Sequence, residues 1–310
     1  MNPCRAYYSI RPLIPRIVQI SIRRLFALYK EKRYRDRWPI DPTAGKNPVG
    51  WQGWPKEKKF ALVIQHDVDT QKGHDNCYKL MDLERRLNVK SLYSFVPERY
   101  KLSKSLLKEI SNQGFGLGVH GLKHDGKLFL SEQIFRERAV RINQYLKGWN
   151  SKGFTSPSMH RNLDWMHMLD IEFCTSTFDT DPFEPDPEGV GTIFPFLVQK
   201  DQSYKGYVEL PYTLPQDHLL FIILKEKDIN IWKKKLAWIV DKGGMALLNT
   251  HPDYMNFGGT EIKREEYPVE FYIKFLEHVK EEYRDQYWHV SPKELAQFWR
   301  KNMVDKHSNI

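Results

Sequence analysis

Cysteine is scarce. The 310 residues hold three, Cys4, Cys77 and Cys174, odd in number and far apart. No Cys-x-x-Cys or finger spacing links them, which argues against a disulfide framework and a structural zinc cluster. A reducing compartment is the simpler expectation. Long apolar runs are also missing. Between Arg11 and Arg24 the longest uncharged stretch is Ile17 to Ile22, too short for the apolar region of a secretory signal. Nowhere does an apolar run approach the ~18 residues of a membrane span. No internal repeat or low-complexity segment breaks the chain. A soluble or peripheral protein with a location in the cytoplasm is expected. A length of 310 residues, 41% hydrophobic with nine Trp, suits one large α/β domain with an appendage.

The positive charge is uneven. Residues 1–37 carry ten Lys and Arg against Glu31 and Asp36, a net +8 of the chain's total +9. The body is therefore near neutral and its N-terminal arm is a polycation. In that arm Ile14, Val18, Ile22, Leu25 and Tyr29 recur at three- and four-residue steps, with Arg16, Gln19, Arg23 and Lys30 off that face. The spacing predicts an amphipathic helix over 13–37, its start limited by Pro12 and Pro15. Such a helix packs its apolar stripe on the domain and leaves its arginines in water, or it lies on an anionic membrane surface. The second option implies peripheral contact at the inner membrane face. Nucleic acid is not an expected partner, because no recognition module accompanies the charge. Pro, Gly and Trp then cluster without periodicity around Trp38-Pro39 and Gly50 to Pro55, which reads as a connector with its tryptophans on the domain edge. The expected organisation is an arm and connector over 1–50, then one domain over 51–310.

Phe60-Ala-Leu-Val-Ile64 is a short apolar run of the kind buried in a parallel sheet, and it ends abruptly in His66, Asp67 and Asp69. Further strands are expected near 89–96, 114–119, 153–156, 172–176, 208–210, 219–224 and 245–249. Helices are expected over 74–88, 104–112, 131–146, 162–169, 228–242, 266–283 and 291–301. This alternation means βα units and right-handed crossovers, and about seven such units favour a closed or nearly closed barrel.

Three of these strand ends carry hard polar groups: Asp67 and Asp69, His120 and His124, and Thr250-His251-Pro-Asp253. Two carboxylates at the end of a buried strand are costly to hold without a cation. The bland alternative is an Asp-rich turn capping the next helix. His120-x-x-x-His124 places two imidazoles on one side of a helical turn. With one Asp from another strand end they form a three-ligand set that leaves a coordination position open for water.

The order His66-Asp-Val-Asp69, His120-x-x-x-His124, Ser156-Pro-Ser158, the Asp-rich loop Asp179-Thr-Asp181, and Asn249-Thr-His-Pro252 resembles the NodB-like polysaccharide deacetylases, carbohydrate esterase family 4. The resemblance spans roughly residues 59–255. It implies a distorted (β/α)7-type barrel and metal-dependent removal of an N-acetyl group from an amino sugar of a cell-surface polysaccharide or a lipid-linked precursor. It implies Asp67 as catalytic base and Asp69, His120 and His124 as ligands of a divalent metal, zinc first, with cobalt or nickel compatible. Val68 separates two carboxylates that are more often adjacent in the family, so either Asp could take either role. His251 matches the catalytic acid, and Asp179 or Asp181 falls where an Asp orients it. Leu247 or Leu248 would line an acetyl pocket, and Trp165 belongs to a set of aromatics that could stack on sugar. The family's Arg-x-Pro is replaced by Thr155-Ser-Pro157, which leaves Arg161 as the nearby cation able to brace the base. Two other functions stay open: an amidohydrolase for a formamido sugar or ureide, and a non-catalytic carbohydrate-binding protein.

Overall fold

The computed structural model describes residues 16–185, 187–200, 206–259 and 261–304. Cys4, Arg5, Arg11 and the first residues of the expected N-terminal helix lie outside them. Strand β1 (Phe60–Val68) is the axis of the fold, and all nine of its residues are buried. It pairs in parallel with β2 (Leu92–Phe95) on one side and with β8 (Met245–Thr250) on the other. Parallel pairing continues from β2 through β3 (Gly116–His120), β4 (Gly153–Thr155) and β5 (Phe173–Cys174) to β7 (Tyr207–Glu209). Among the described residues of this sheet only β6 (Phe196–Val198) runs antiparallel, on the outer edge of β7. The sheet curls towards closure. Beyond β7, the amides of Thr213 and Leu214 donate to Leu247 O at 3.2 and 3.1 Å, which ties that edge to β8. A short β9 (Tyr287–His289) pairs with the first residues of β1. The expected distorted barrel is present.

Helices α2 (Gln71–Arg86), α3 (Lys104–Asn112), α4 (Glu132–Gly148), α5 (Asn230–Lys242), α6 (Glu270–Glu282) and α7 (Pro292–Trp299) connect or flank the strands. Their starts are sequence-encoded: Ser103 and Ser131 cap α3 and α4, and Ser291 with Glu294 forms a capping box on α7. Leu80, Leu106, Phe135, Leu236, Phe275 and Leu295 are the buried stripes they turn to the sheet, each contributing about 1.5–3 kcal/mol of burial.

Alternation along β1 sorts its polar residues by face. His66 turns away from the barrel interior. Its Nε2 lies 2.8 Å from Glu84 Oε1, and Ser91, Tyr93 and Tyr272 donate hydroxyl hydrogen bonds to the same carboxylate. This buried network braces α2 and α6 against the sheet, so His66 is a structural member of its motif. Cys77 and Cys174 are buried and unpaired.

Three expectations need correction. Residues 219–224 are no strand. His218–Leu224 is a π-helix, with Asp217 accepting the His218 amide and Lys225 ending it in the left-handed region. A short apolar run without alternation does not distinguish the two states. Residues 162–169 hold only a 3-10 turn over Trp165–Met168. The third correction concerns the arm. Helix α1 (Arg16–Arg33) packs on the π-helix, but of the stripe its periodicity suggests only Ile22, among the described residues, turns to the cleft. Ile20 and Ala27 are buried at 2% and 4% exposure, with Arg23 and Lys30 on the same side lining a cleft. Val18, Leu25 and Tyr29 point outward, at 43%, 70% and 60%. The connector behaves as expected. Trp51 and Trp54 pack among Phe194, Phe298 and Trp299, and Trp38 packs on Phe183.

Candidate metal centre and catalytic cleft

The register of the parallel strands brings the chemistry together. Opposite His66 lies Thr250, opposite Asp67 lies Ser94, and opposite His120 lies Thr155. The polar strand ends therefore open at one end of the barrel. There Asp69 Oδ1 lies 3.2 Å from His120 Nε2 and 3.2 Å from His124 Nε2. This oxygen is buried and accepts no hydrogen bond. Among the described residues these three side chains form the one group of His, Cys, Asp and Glu close enough together to hold a metal ion. Thr155 O lies 3.2 Å from His120 Nδ1, an arrangement that keeps the proton on Nδ1 and leaves the Nε2 lone pair facing Asp69. Three converging ligand atoms without a proton between them repel one another unless a cation joins them, so the residues fit a divalent metal.

The two histidines are not on a helical turn, as their spacing suggested. His120 ends β3, and the chain turns through Gly121 at φ 63° to His124, itself left-handed at φ 52°. A Cβ on Gly121 would meet Pro157 Cγ at 2.4 Å, so only glycine lets the loop fold against the Ser156-Pro-Ser158 turn. Asp253 steadies the other ligand. Its Oδ2 accepts the Asp69 amide at 3.0 Å and its Oδ1 the Thr70 hydroxyl at 2.5 Å. Gly73 permits that approach, since a Cβ there would stand 2.2 Å from Asp253 Oδ2.

Asp67 sits beside this centre, 3.7 Å from His120 Nδ1 and 2% exposed. Neutral amides brace it. Asn249 Nδ2 donates to Oδ2 at 2.8 Å and Gln65 Nε2 to Oδ1 at 3.4 Å. Arg161 does not reach it. Its guanidinium donates to Met159 O and Glu188 O and lies over the Phe178 ring. The tight 156–160 turn directs it outward, and Asn249 and Gln65, one on β8 and one on β1, take the place expected of it.

His251 lines the same cleft, but neither expected aspartate touches it. Asp179 forms a buried ion pair with Lys235, and burial pushes its carboxyl up to about 6 against that cation. Asp181 accepts from Tyr212 OH and the Phe183 amide, and burial with nearby Glu184 pushes it up to about 8. Asp217 is the partner instead, 2.7 Å from His251 Nδ1. Its other oxygen accepts the His251 amide at 2.8 Å and Tyr267 OH at 2.9 Å. Burial lowers the His251 pKa, yet the Asp217 charge and hydrogen bond, with help from Asp69 and Asp67, push it up to about 10. Asp217 precedes a segment expected to be a strand. Read as a helix cap, it was the one sequence signal that could have found it.

The cleft has a volume of about 480 Å³. Leu248 does not line it, being fully buried in β8. Trp165 does not line it either and packs on Phe129 and Phe135. Its apolar lining comes from Ile22, Phe26, Met159, Phe183, Leu219 and Ile223.

No protein-family model matches the chain, and no curated protein matches it by sequence. Solved structures do match. A protein assigned as a polysaccharide deacetylase from Mycobacterium smegmatis superposes with a TM-score of 0.64 at 16% identity, over 82% of this chain and 95% of that one. An allantoinase gives 0.62 at 14% identity, over 86% and 98%. A protein assigned as a polysaccharide deacetylase from Pseudomonas aeruginosa gives 0.60 at 14%, over 86% and 99%. The chain therefore has the NodB-like barrel these proteins share, and at such identities the likeness shows the fold alone.

Proposed function

We propose that this protein is a metal-dependent hydrolase that removes the acetyl group from an N-acetylated amino sugar. The observation that carries the proposal is the convergence of Asp69, His120 and His124 on one point beside a braced carboxylate, Asp67, and a cationic imidazole, His251. Amide hydrolysis needs those two groups on either side of the scissile bond.

In this reading Asp67 is the base. Asn249 and Gln65 fix its oxygens, so it meets the attacking water without rotating, and it takes that water's proton. His251 has its Nδ1 committed to Asp217, which leaves Nε2 to deliver a proton to the departing nitrogen. Each such proton transfer is worth about 10²–10⁴ in rate. A divalent cation held by Asp69, His120 and His124, zinc on the chemistry of the ligands, supplies Lewis acidity and lowers the pKa of a water. The site floor is 2% exposed at Asp67 and 2% at His120, which keeps bulk water from competing with these interactions.

The test is release of free amine and acetate from an N-acetylated chito-oligosaccharide by zinc-loaded protein. Asp67→Asn with metal retained should abolish turnover. Wild-type rates in that variant remove Asp67 from its role. The allantoinase likeness motivates a second substrate, allantoin, assayed in parallel as the ureide alternative. We also propose that the protein is cytoplasmic and peripheral at the inner membrane face, a reading supported by the net +8 carried by residues 1–37. Flotation with anionic liposomes, with and without residues 1–37, tests this, and equal binding by the two forms excludes the arm.

A further inference from the structure

Helix α1 forms one wall of the cleft that holds Asp67, Asp69 and His251, and the chemistry of that wall is unusual for a neutral glycan. It contributes two cations, Arg23 and Lys30, and two large apolar side chains, Ile22 and Phe26. Arg23 has no hydrogen-bonded or ion-paired partner among the described residues; burial raises the pKa of Glu184 in the same cleft, and the nearby Arg23 charge opposes that shift. Lys30 gives one donor to Pro182 O at 2.7 Å, and two of its three remain. Across from them the π-helix adds Leu219 and Ile223. The cleft is thus catalytic and polar at its floor, cationic on one wall and aliphatic between the two helices.

The apolar lining does not stop at the mouth. Phe26 lines the cleft and is also 64% exposed. It joins the aliphatic interior to the outward face of α1, where Val18, Leu25 and Tyr29 stand in solvent. An open polysaccharide groove would need hydrogen-bonding groups and aromatic platforms along its rim. Ser158, Glu184, Gln216 and Tyr254 line the same cleft, but its α1 side sets the apolar Ile22 and Phe26 beside the cations Arg23 and Lys30, a pairing that suits an alkyl chain next to an anion.

We infer that the substrate is an amphiphile: an N-acylated amino sugar joined through a phosphate diester to an apolar chain. The sugar amide meets Asp67 and His251, the phosphate pairs with Arg23 and Lys30, and the chain leaves between Ile22, Phe26, Leu219 and Ile223. This assignment rests on the hydrolase reading above and selects one substrate class within it.

The experiment compares kcat/KM of the zinc-loaded full chain on N-acetylglucosaminyl decyl phosphate, its methyl phosphate counterpart, neutral decyl N-acetylglucosaminide, a chito-oligosaccharide, and a disaccharide carrying both an N-acetyl group and a uronate. Detergent-like probes are kept below their micelle concentration. The decyl phosphate should exceed both the methyl phosphate and the neutral decyl glycoside by about tenfold or more. Arg23→Glu should erase the gap between charged and neutral decyl probes, and Phe26→Ser the gap between decyl and methyl. Equal values across the panel, or a preference for the oligosaccharide, overturn the inference and leave the hydrolase reading intact. A preference for the uronate assigns the cations to a sugar carboxylate and overturns the phosphate assignment. If no probe is turned over, equilibrium binding of the decyl phosphate decides. Binding lost in Arg23→Glu upholds the ligand class while the hydrolase reading fails, and absence of binding overturns both.

Discussion

Replacing Asp217 by Asn isolates the acid half of the proposed reaction. Asp217 holds His251 through Nδ1 at 2.7 Å, and its charge is the main reason the imidazole titrates at about 10. Without that charge, burial dominates, and burial disfavours the imidazolium. The pKa then falls to the ordinary value of about 6.5 or below. At pH 8 a group titrating at 10 is about 99% protonated and one at 6.5 about 3%, so the variant should be roughly thirtyfold slower than wild type. At pH 5.5 both imidazoles are largely protonated and the gap should nearly close. Between about pH 6.5 and 10 the ratio of wild-type to variant kcat should grow about tenfold per pH unit. The ratio is the useful quantity, because ionisations common to both proteins cancel in it. The amide also puts an NH2 against donors now served by the carboxylate, namely the amides of His218 and His251 and the Tyr267 hydroxyl. A stability loss of about 1–3 kcal/mol is expected for that mismatch, so rates are taken well below the melting range. A ratio that stays flat across pH would refute the assignment of His251 as the proton donor charged by Asp217.

Three further outcomes follow from the same contacts. Asn249→Leu removes the 2.8 Å brace on Asp67 and should lower kcat about 10–100-fold with zinc content unchanged; loss of zinc instead would place Asn249 in the metal site. Arg161→Ala should change kcat by no more than about threefold, because the side chain never approaches Asp67. A deficit as large as that of Asn249→Leu would contradict this geometry. Lys235→Met leaves Asp179 buried without its cation and should cost about 3–5 kcal/mol in urea unfolding; adding Asp179→Leu should recover part of it, and no recovery would mean the pair is not the cause.

The barrel was legible because β1, β3 and β8 are apolar runs that end in polar residues, and a buried parallel strand leaves that mark whatever surrounds it. The convergence of Asp69, His120 and His124 was legible for the same reason, since each sits at or just past such an end. The partners of Asp67 and His251 were not. Asp217 lies next to a π-helix that reads as a strand, because six consecutive apolar residues show neither period. Asn249 and Gln65 are neutral amides inside strands, where nothing local distinguishes a brace from a filler. Helix α1 shows a different limit. Its 3.6-residue pattern located the helix, but Ile20 and Ala27 became the buried contacts, Arg23 and Lys30 came to line the cleft with Ile22, and Val18, Leu25 and Tyr29 of the predicted stripe stayed outside. Amphipathicity gives the helix; what the neighbouring surface offers decides which side docks.

Anomalous diffraction at the zinc edge from a zinc-soaked crystal tests the central claim most directly. One peak is predicted at about 2.0–2.2 Å from an Asp69 carboxylate oxygen and from Nε2 of both His120 and His124, lost in His124→Ala. A zinc-replete crystal with no density between these three side chains would contradict the metal centre and the hydrolase built on it.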